Sequence, residues 1–298
     1  MPKPLRVEER RVESFDGTDL AYHVVGEGLP VLLCNGLGGS WKAWTHQIQY
    51  LADRYRFISW DYRGLYRSGP PPDREAIRVE HCALDGLRIL EAEGVERAAL
   101  FGWSMGVQVA LEMFRRAPDR AACLMLMAGV AGRPWSSVLN LRVMAHVLPP
   151  VIRGVRSMPG LATTVTRHLV RWPETVSWAK RLGLAARTLD EDVFLELAES
   201  FQDLDLELYL HMLELLGEHD ATDVLPEIDV PTLVVVGDRD TFTPRAAAER
   251  MVRSVRGAEL MVVPGGTHYV AVEYPELVSL RVEKFLRERG YGAAPMAI

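Results

Sequence analysis

The 298-residue chain is poor in cysteine, with Cys34, Cys82 and Cys123 its only three. An odd, widely spaced set cannot form the dense bridge framework of a small secreted fold, and no Cys-x-x-Cys or zinc spacing occurs. Cys34 and Cys123 lie inside apolar runs, where a thiol packs as a small hydrophobe. No apolar run reaches the ~18 residues that a spanning helix requires, so no membrane span is expected. Met1 to Gly17 lacks the apolar stretch of a signal peptide, which leaves a cytoplasmic location as the expectation. Basic runs are missing too. With 34 basic against 40 acidic side chains and a net charge of -6, nucleic acid is not an expected partner. Neither G-x-x-x-x-G-K-[ST] nor H-E-x-x-H occurs, and no G-x-G-x-x-G follows the first strand, so no cofactor and no metal are implied. Internal repeats and low-complexity segments are also absent.

What is present is a globular composition, 48% hydrophobic and 25% charged, in a length that suits one large α/β domain. Short apolar runs at Val31–Cys34, Phe57–Trp60, Ala98–Phe101, Cys123–Leu126, Leu233–Val236 and Leu260–Val263 read as strands buried on both faces. Between them lie segments of helical period. Val107, Ala110, Leu111 and Phe114 make one apolar stripe, and Val278, Val282 and Phe285 another. Val7 to Phe15 and Leu20 to Val25, separated by Asp16-Gly17, read as an antiparallel hairpin with a tight turn. The expected fold class is α/β: a mostly parallel eight-stranded sheet, helices on both faces and an antiparallel edge at the N-terminus.

Residues 131–222 break this alternation, with helical patterns, no strand, and prolines at 134, 149, 150, 159 and 173 that cut the segment into pieces. Helix breaks are expected near Asp203 and Asp205. Some 90 residues are too many for a structureless loop, so the segment is expected to be a helical cap over one end of the sheet. Residues 1–130 and 223–290 then form the catalytic domain, and 291–298 a frayed tail.

The chemistry is concentrated in Gly102-Trp103-Ser104-Met105-Gly106. G-x-S-x-G is common by chance, but here a strand run precedes it and an amphipathic helix follows. That context makes a tight strand–helix turn with the serine projecting above the sheet at a helix N-terminus. A serine nucleophile needs a base, and the base an orienting acid, in the order Ser, acid, His. Of eight histidines, His268 alone sits in a glycine-rich loop after a late strand; His23, His46 and His81 belong to the hairpin and helical patterns, and His146, His168, His211 and His219 to the cap. Two carboxylates past Leu233–Val236 compete for the acid, Asp238 and Asp240. Both loops follow the carboxyl ends of strands, where open α/β sheets build their sites.

Together, Gly102–Gly106, Asn35-Gly36-Leu37-Gly38-Gly39, Asp61-Tyr62-Arg63-Gly64 with Ser68, Gly237–Pro244 and His268 resemble the α/β-hydrolase superfamily, in its capped serine-hydrolase branch, over about residues 30–286. The resemblance implies an acid pattern G-x-x-D-x-x-x-P, which places Asp240 in the acid role and leaves Asp238 to stabilise the loop. It also implies an oxyanion hole from the backbone N–H groups of Met105 and Leu37. Two departures stand out: Asn35 replaces the usual histidine before the loop glycine, and Leu65-Tyr66 replaces a common His-Gly. Asp61 and Arg63 are expected to pair structurally. Trp41, Trp103, Phe201 and Met212 are expected to line a substrate pocket, with Trp44 near its mouth.

The expected activity is therefore hydrolysis of a carboxylic ester or related acyl bond by Ser104, His268 and Asp240, on a small-molecule substrate with an apolar portion. The apolar stripes Phe194/Leu197/Ala198/Phe201 and Leu208/Met212/Leu215/Leu216 motivate that portion. The same constellation also serves carbon–carbon or lactone hydrolysis, perhydrolysis and acyl transfer, whereas a serine excludes the aspartate-nucleophile dehalogenases and epoxide hydrolases. A receptor-like protein with a vestigial triad is the alternative from another class. Oligomeric state stays open.

Overall fold

The computed structural model describes residues 5–141, 143–158, 160, 164 and 174–292. His168, Pro159, Pro173 and residues 293–298 lie outside the described residues. The first half of the chain gives β1 (Val7–Glu13), β2 (Asp19–Val25), β3 (Leu29–Cys34), α1 (Thr45–Leu51), β4 (Tyr55–Trp60), α2 (Val79–Ala92), β5 (Ala98–Trp103), α3 (Met105–Arg116) and β6 (Ala121–Met127). A helical segment follows, with α4 (Met144–Arg156), α5 (Thr175–Arg181), α6 (Glu191–Ser200) and α7 (Leu206–Leu216). The sheet then resumes with β7 (Thr232–Gly237), α8 (Arg245–Ser254), β8 (Glu259–Val263), α9 (Val270–Glu273) and α10 (Pro275–Glu288).

The eight strands form one sheet in the order β1-β2-β4-β3-β5-β6-β7-β8. The β1/β2 and β2/β4 pairs are antiparallel and every other pair is parallel. The central strands are buried on both faces because helices cover each side. One core gathers Ile89 and Leu90 of α2, Val107 and Leu111 of α3 and Met251 of α8 against Leu32, Leu100 and Leu124. The other gathers Ile48 and Leu51 of α1 and Val278, Val282 and Phe285 of α10 against Val31, Phe101 and Met125. Alternate residues of each strand thus feed opposite cores, the period-2 signature of a sheet buried on two sides. Among the described residues no helix is long and apolar enough to cross a membrane.

Four local expectations need correction. First, the register Glu13↔Asp19 leaves five residues in the first hairpin loop rather than a two-residue turn. Only Gly17 takes a positive φ there (85°), while Asp16 Oδ1 accepts from the Thr18 N–H at 3.1 Å and its hydroxyl at 2.7 Å. Second, α4 runs through Pro149-Pro150. The two rings remove the i+4 donors of the Ala145 and His146 carbonyls, and the helix still buries Ile152. Third, Tyr291 is docked rather than frayed: its hydroxyl donates to the Pro30 carbonyl at 2.6 Å, and its own carbonyl accepts from Tyr55 at 3.0 Å.

The fourth concerns Arg63, which does not pair with Asp61. Its guanidinium, wholly buried, donates from Nε to Asp85 Oδ2 at 2.7 Å and from Nη1 to Asp16 Oδ2 at 2.7 Å. An α2 carboxylate about 20 residues downstream is thus the partner that a reading of neighbours alone does not reach. Asp61, 3% exposed, accepts the Arg67 N–H at 3.2 Å, and among the described residues no guanidinium pairs with it. Burial pushes its carboxyl up to about 6, the amide bond pulling the other way. Well below its ordinary value of 3.8 the carboxyl is neutral in both folded and unfolded chain, and stability falls as the pH rises from there until the folded value of about 6 is passed. Asp61→Asn should therefore raise stability near pH 8 by about 1–3 kcal/mol and change it little near pH 3.5. Urea unfolding at the two pH values reads this out; an equal effect at both would contradict it.

Candidate active site

Ser104 follows β5 directly and caps α3, with φ 56° and ψ -119°. A side chain in that left-handed region is strained and persists only where its surroundings hold it. They do so through close packing at the flanking glycines. A Cβ on Gly106 would lie 1.9 Å from the Cys34 carbonyl oxygen, and one on Gly102 would lie 2.4 Å from that of Gly106. The Ser104 N–H is also tied to the Met127 carbonyl at 3.0 Å. The turn can therefore take no larger residue at either place, and the hydroxyl is aimed out of the sheet.

Asp240 lies in the loop after β7 and His268 in the loop after β8. Ser104 Oγ is 2.9 Å from His268 Nε2, and His268 Nδ1 is 2.9 Å from Asp240 Oδ2. An ionised Asp240 favours the tautomer with hydrogen on Nδ1, leaving Nε2 to accept from the serine hydroxyl. Burial raises the Asp240 carboxyl, but the His268 ring and the Thr243 hydrogen bonds outweigh it and hold the group below the usual carboxylate range. Its Oδ1 accepts the N–H groups of Phe242 and Thr243, both at 2.9 Å, and its Oδ2 also accepts the Thr243 hydroxyl at 2.6 Å. Asp238 is engaged elsewhere, accepting the Gly265 N–H at 2.7 Å. It braces the His268 loop without touching the ring.

The loop after β3 crosses beside the serine: a methyl on Gly36 would come within 3.2 Å of Ser104 Cβ. Asn35 anchors the base of that loop. Its side chain, fully buried, donates to Ser59 Oγ and to the Trp60 carbonyl, both at 3.0 Å, and accepts from Trp44 Nε1 at 3.0 Å. The Tyr62 hydroxyl donates to its carbonyl at 2.7 Å. Trp44 is accordingly part of the support, fully buried, and not of the pocket mouth. Met105 opens α3, so its N–H is among the first-turn amides that have no partner within the helix.

Strand order, a serine on the sharp turn after β5 and a histidine and acid after the last two strands agree with what comparison finds: residues 30–275 match the α/β hydrolase fold. The chain belongs to the α/β hydrolase fold family. The serine hydrolase BPHL of Mus musculus is 26% identical over 287 residues, covering 92% of this chain and 85% of that protein. A thermophilic esterase from Thermogutta terrifontis, solved with malate bound, is 26% identical with a TM-score of 0.73, covering 94% of this chain and 98% of its own. The enol-lactonase from Burkholderia xenovorans LB400 has a TM-score of 0.75 at 22% identity, covering 93% and 100%, a likeness of fold alone. Hydrolases among its relatives support an enzyme of that class here.

In this α/β hydrolase a cavity of about 520 Å³ opens onto Ser104 and His268, within the usual ~300–1,000 Å³ of small-molecule sites. Its walls are mainly apolar. The stripe of α6, Phe194, Leu197 and Ala198 with Phe201 just beyond, faces it as one surface, and so does Trp103. Met212 and Trp41 do not line it. On α7 the residues facing the cavity are Tyr209, Leu213 and Leu216, whereas Leu208, Met212 and Leu215 pack into the core beneath. One step along a helix rotates a side chain by ~100°, so three residues of the second stripe belong to the seam, while Leu216 joins Tyr209 and Leu213 at the site. Trp41 turns toward His23, ring centroids 6.2 Å apart.

Trp103 does more than line the wall, since its indole N–H donates to the His268 carbonyl at 3.0 Å. Two supports were not singled out in the sequence. Thr243 holds Asp240 as above. Glu273, 2% exposed, accepts the Thr267 N–H and the Ala186 N–H at 2.7 Å each, fastening the residue before His268 to the helical segment. The signal for it was an acidic residue directly after the apolar Val270–Val272 run, legible only once that turn is known to be buried.

Proposed function

We propose that this protein is a serine hydrolase that cleaves carboxylic esters carrying a substantial apolar portion. One observation carries the reading: the hydrogen-bonded chain Ser104–His268–Asp240 opens into an apolar cavity. Ser104 Oγ attacks the ester carbonyl while His268 Nε2 takes its proton. The carbonyl oxygen becomes an oxyanion, for which the Leu37 and Met105 N–H groups are the assigned donors. As the intermediate collapses, the C–O bond to the alcohol breaks and His268 returns the proton to it. Water then repeats the sequence on the acyl-enzyme, releasing the acid and restoring Ser104. Asp240 keeps the proton on Nδ1 and stabilises the imidazolium. The helical segment acts as the cap over this centre.

The test is a series of p-nitrophenyl esters from acetate to hexanoate. Each buried CH₂ contributes ~0.8 kcal/mol, or at most roughly fourfold in kcat/KM. The value should therefore rise over several carbons. A preference for acetate would contradict the apolar substrate, and no turnover of any ester would contradict the esterase reading and favour a ligand-binding role.

A further inference from the structure

We propose that Tyr66 is a positioning residue for the oxyanion loop, its hydroxyl holding the Gly38 carbonyl and through it the turn that presents the Leu37 N–H. The inference rests on the serine-hydrolase reading above. It starts from a residue that breaks a local rule. Tyr66 has φ 50°, and among the described residues only Ser104, Ala128 and Leu139 share a positive φ without being glycine. A left-handed backbone costs a side-chain-bearing residue about 1–2 kcal/mol, and the neighbouring Gly64, at φ 75°, shows how readily glycine meets the same demand. A tyrosine there needs a reason in its side chain.

The loop is held in place by its own bonds. Gly64 donates to the Gly69 carbonyl and Leu65 to that of Tyr62, each at 2.8 Å, and Ser68 Oγ donates to the Asp61 carbonyl at 2.7 Å. So fixed, the Tyr66 ring reaches across to β3's outgoing loop, where its hydroxyl donates to the Gly38 carbonyl. That loop is a four-residue turn: Gly39 N–H donates to the Gly36 carbonyl at 2.8 Å, and Gly38 at its third position has φ 70°. Positive φ at the third position is the type II pattern, in which Leu37 sits at the second. Peptides in such turns reorient readily, and the direction of the Leu37 N–H follows the turn. Gly38 also meets the helical segment. A Cβ there would lie 2.7 Å from Phe201 Cζ and 2.9 Å from Tyr209 Cε2. The turn is thus held by the two aromatic rings packed at Gly38 and by the phenol hydroxyl on its carbonyl. A phenol is protonated at neutral pH, and burial pushes that of Tyr66 higher still, so its hydroxyl is a donor there.

Tyr66→Phe removes the hydroxyl and nothing else. Loss of an oxyanion donor costs ~10²–10³ in kcat, and misalignment of one should cost part of that, about 10-fold or more. The expected result is that fall in kcat for p-nitrophenyl hexanoate with KM within about twofold of wild type. An alkyl trifluoromethyl ketone, which forms the tetrahedral adduct, should bind weaker by the same factor as kcat/KM, while hexanoate binds unchanged. A merely structural hydroxyl would not separate the two ligands. Tyr66→Gly, free of backbone strain, should be impaired at least as much. Wild-type kcat or wild-type ketone affinity in either variant would overturn the proposal. If wild type itself turns over no ester, the function reading fails, and that result is distinct from an active wild type with an equally active Tyr66→Phe.

Discussion

Ser104→Ala should abolish ester turnover, with kcat falling on the order of 10⁶, the scale of nucleophile loss in a hydrolase that acts through the same three groups. The fold should persist, because the strained φ at 104 is imposed by the Gly102 and Gly106 contacts and the bond to Met127, not by the hydroxyl. Circular dichroism and thermal unfolding should therefore match wild type closely. Residual activity above a few per cent, in protein free of wild-type enzyme, would remove Ser104 from the nucleophile role.

Asp240→Asn should lower kcat by about 10⁴, whereas Asp238→Asn should cost less than about tenfold. The geometry specifies why an amide is so damaging. Two backbone N–H groups, of Phe242 and Thr243, point at Oδ1, so the amide oxygen of an asparagine must take that place. Its NH₂ then faces His268 Nδ1 and donates to it. The ring is driven into the tautomer with hydrogen on Nε2, where it cannot accept from Ser104. Asp238 accepts the Gly265 amide, and an asparagine oxygen can accept that bond as well. Steady-state kinetics of the two variants side by side decide the matter. A larger loss in Asp238→Asn would shift the acid by two residues.

Much of this arrangement was legible because short-range patterns determine it. Continuous apolar runs such as Leu233–Val236 need burial on both faces, which a parallel sheet between helices provides. Ser104, Asp240 and His268 each stand just past such a run, so strand ends placed them on one side of the sheet. Long-range choices were not legible. Nothing local says that Arg63 joins Asp85, 22 positions on, rather than Asp61, two positions back; the fold alone ranks them. The two faces of α7 are also equivalent by composition. Leu208, Met212 and Leu215 form as good a stripe as Tyr209, Leu213 and Leu216, and only docking against the sheet decides which one meets the cavity. Tyr66 was visible as a departure from the family pattern. Its partner Gly38, 28 positions away, emerges only from the crossover that sets β3 beside β4.

The central claim is that Ser104 is a nucleophile activated by His268, and a fluorophosphonate tests it most directly. Its phosphorus should bond to Oγ as fluoride leaves, giving one adduct per chain. Intact-mass and peptide mass spectrometry should place that adduct on the peptide containing Ser104. The label should be absent from Ser104→Ala and slower to form in Asp240→Asn. No adduct on folded wild type, or equal labelling of Ser104→Ala, would contradict the account.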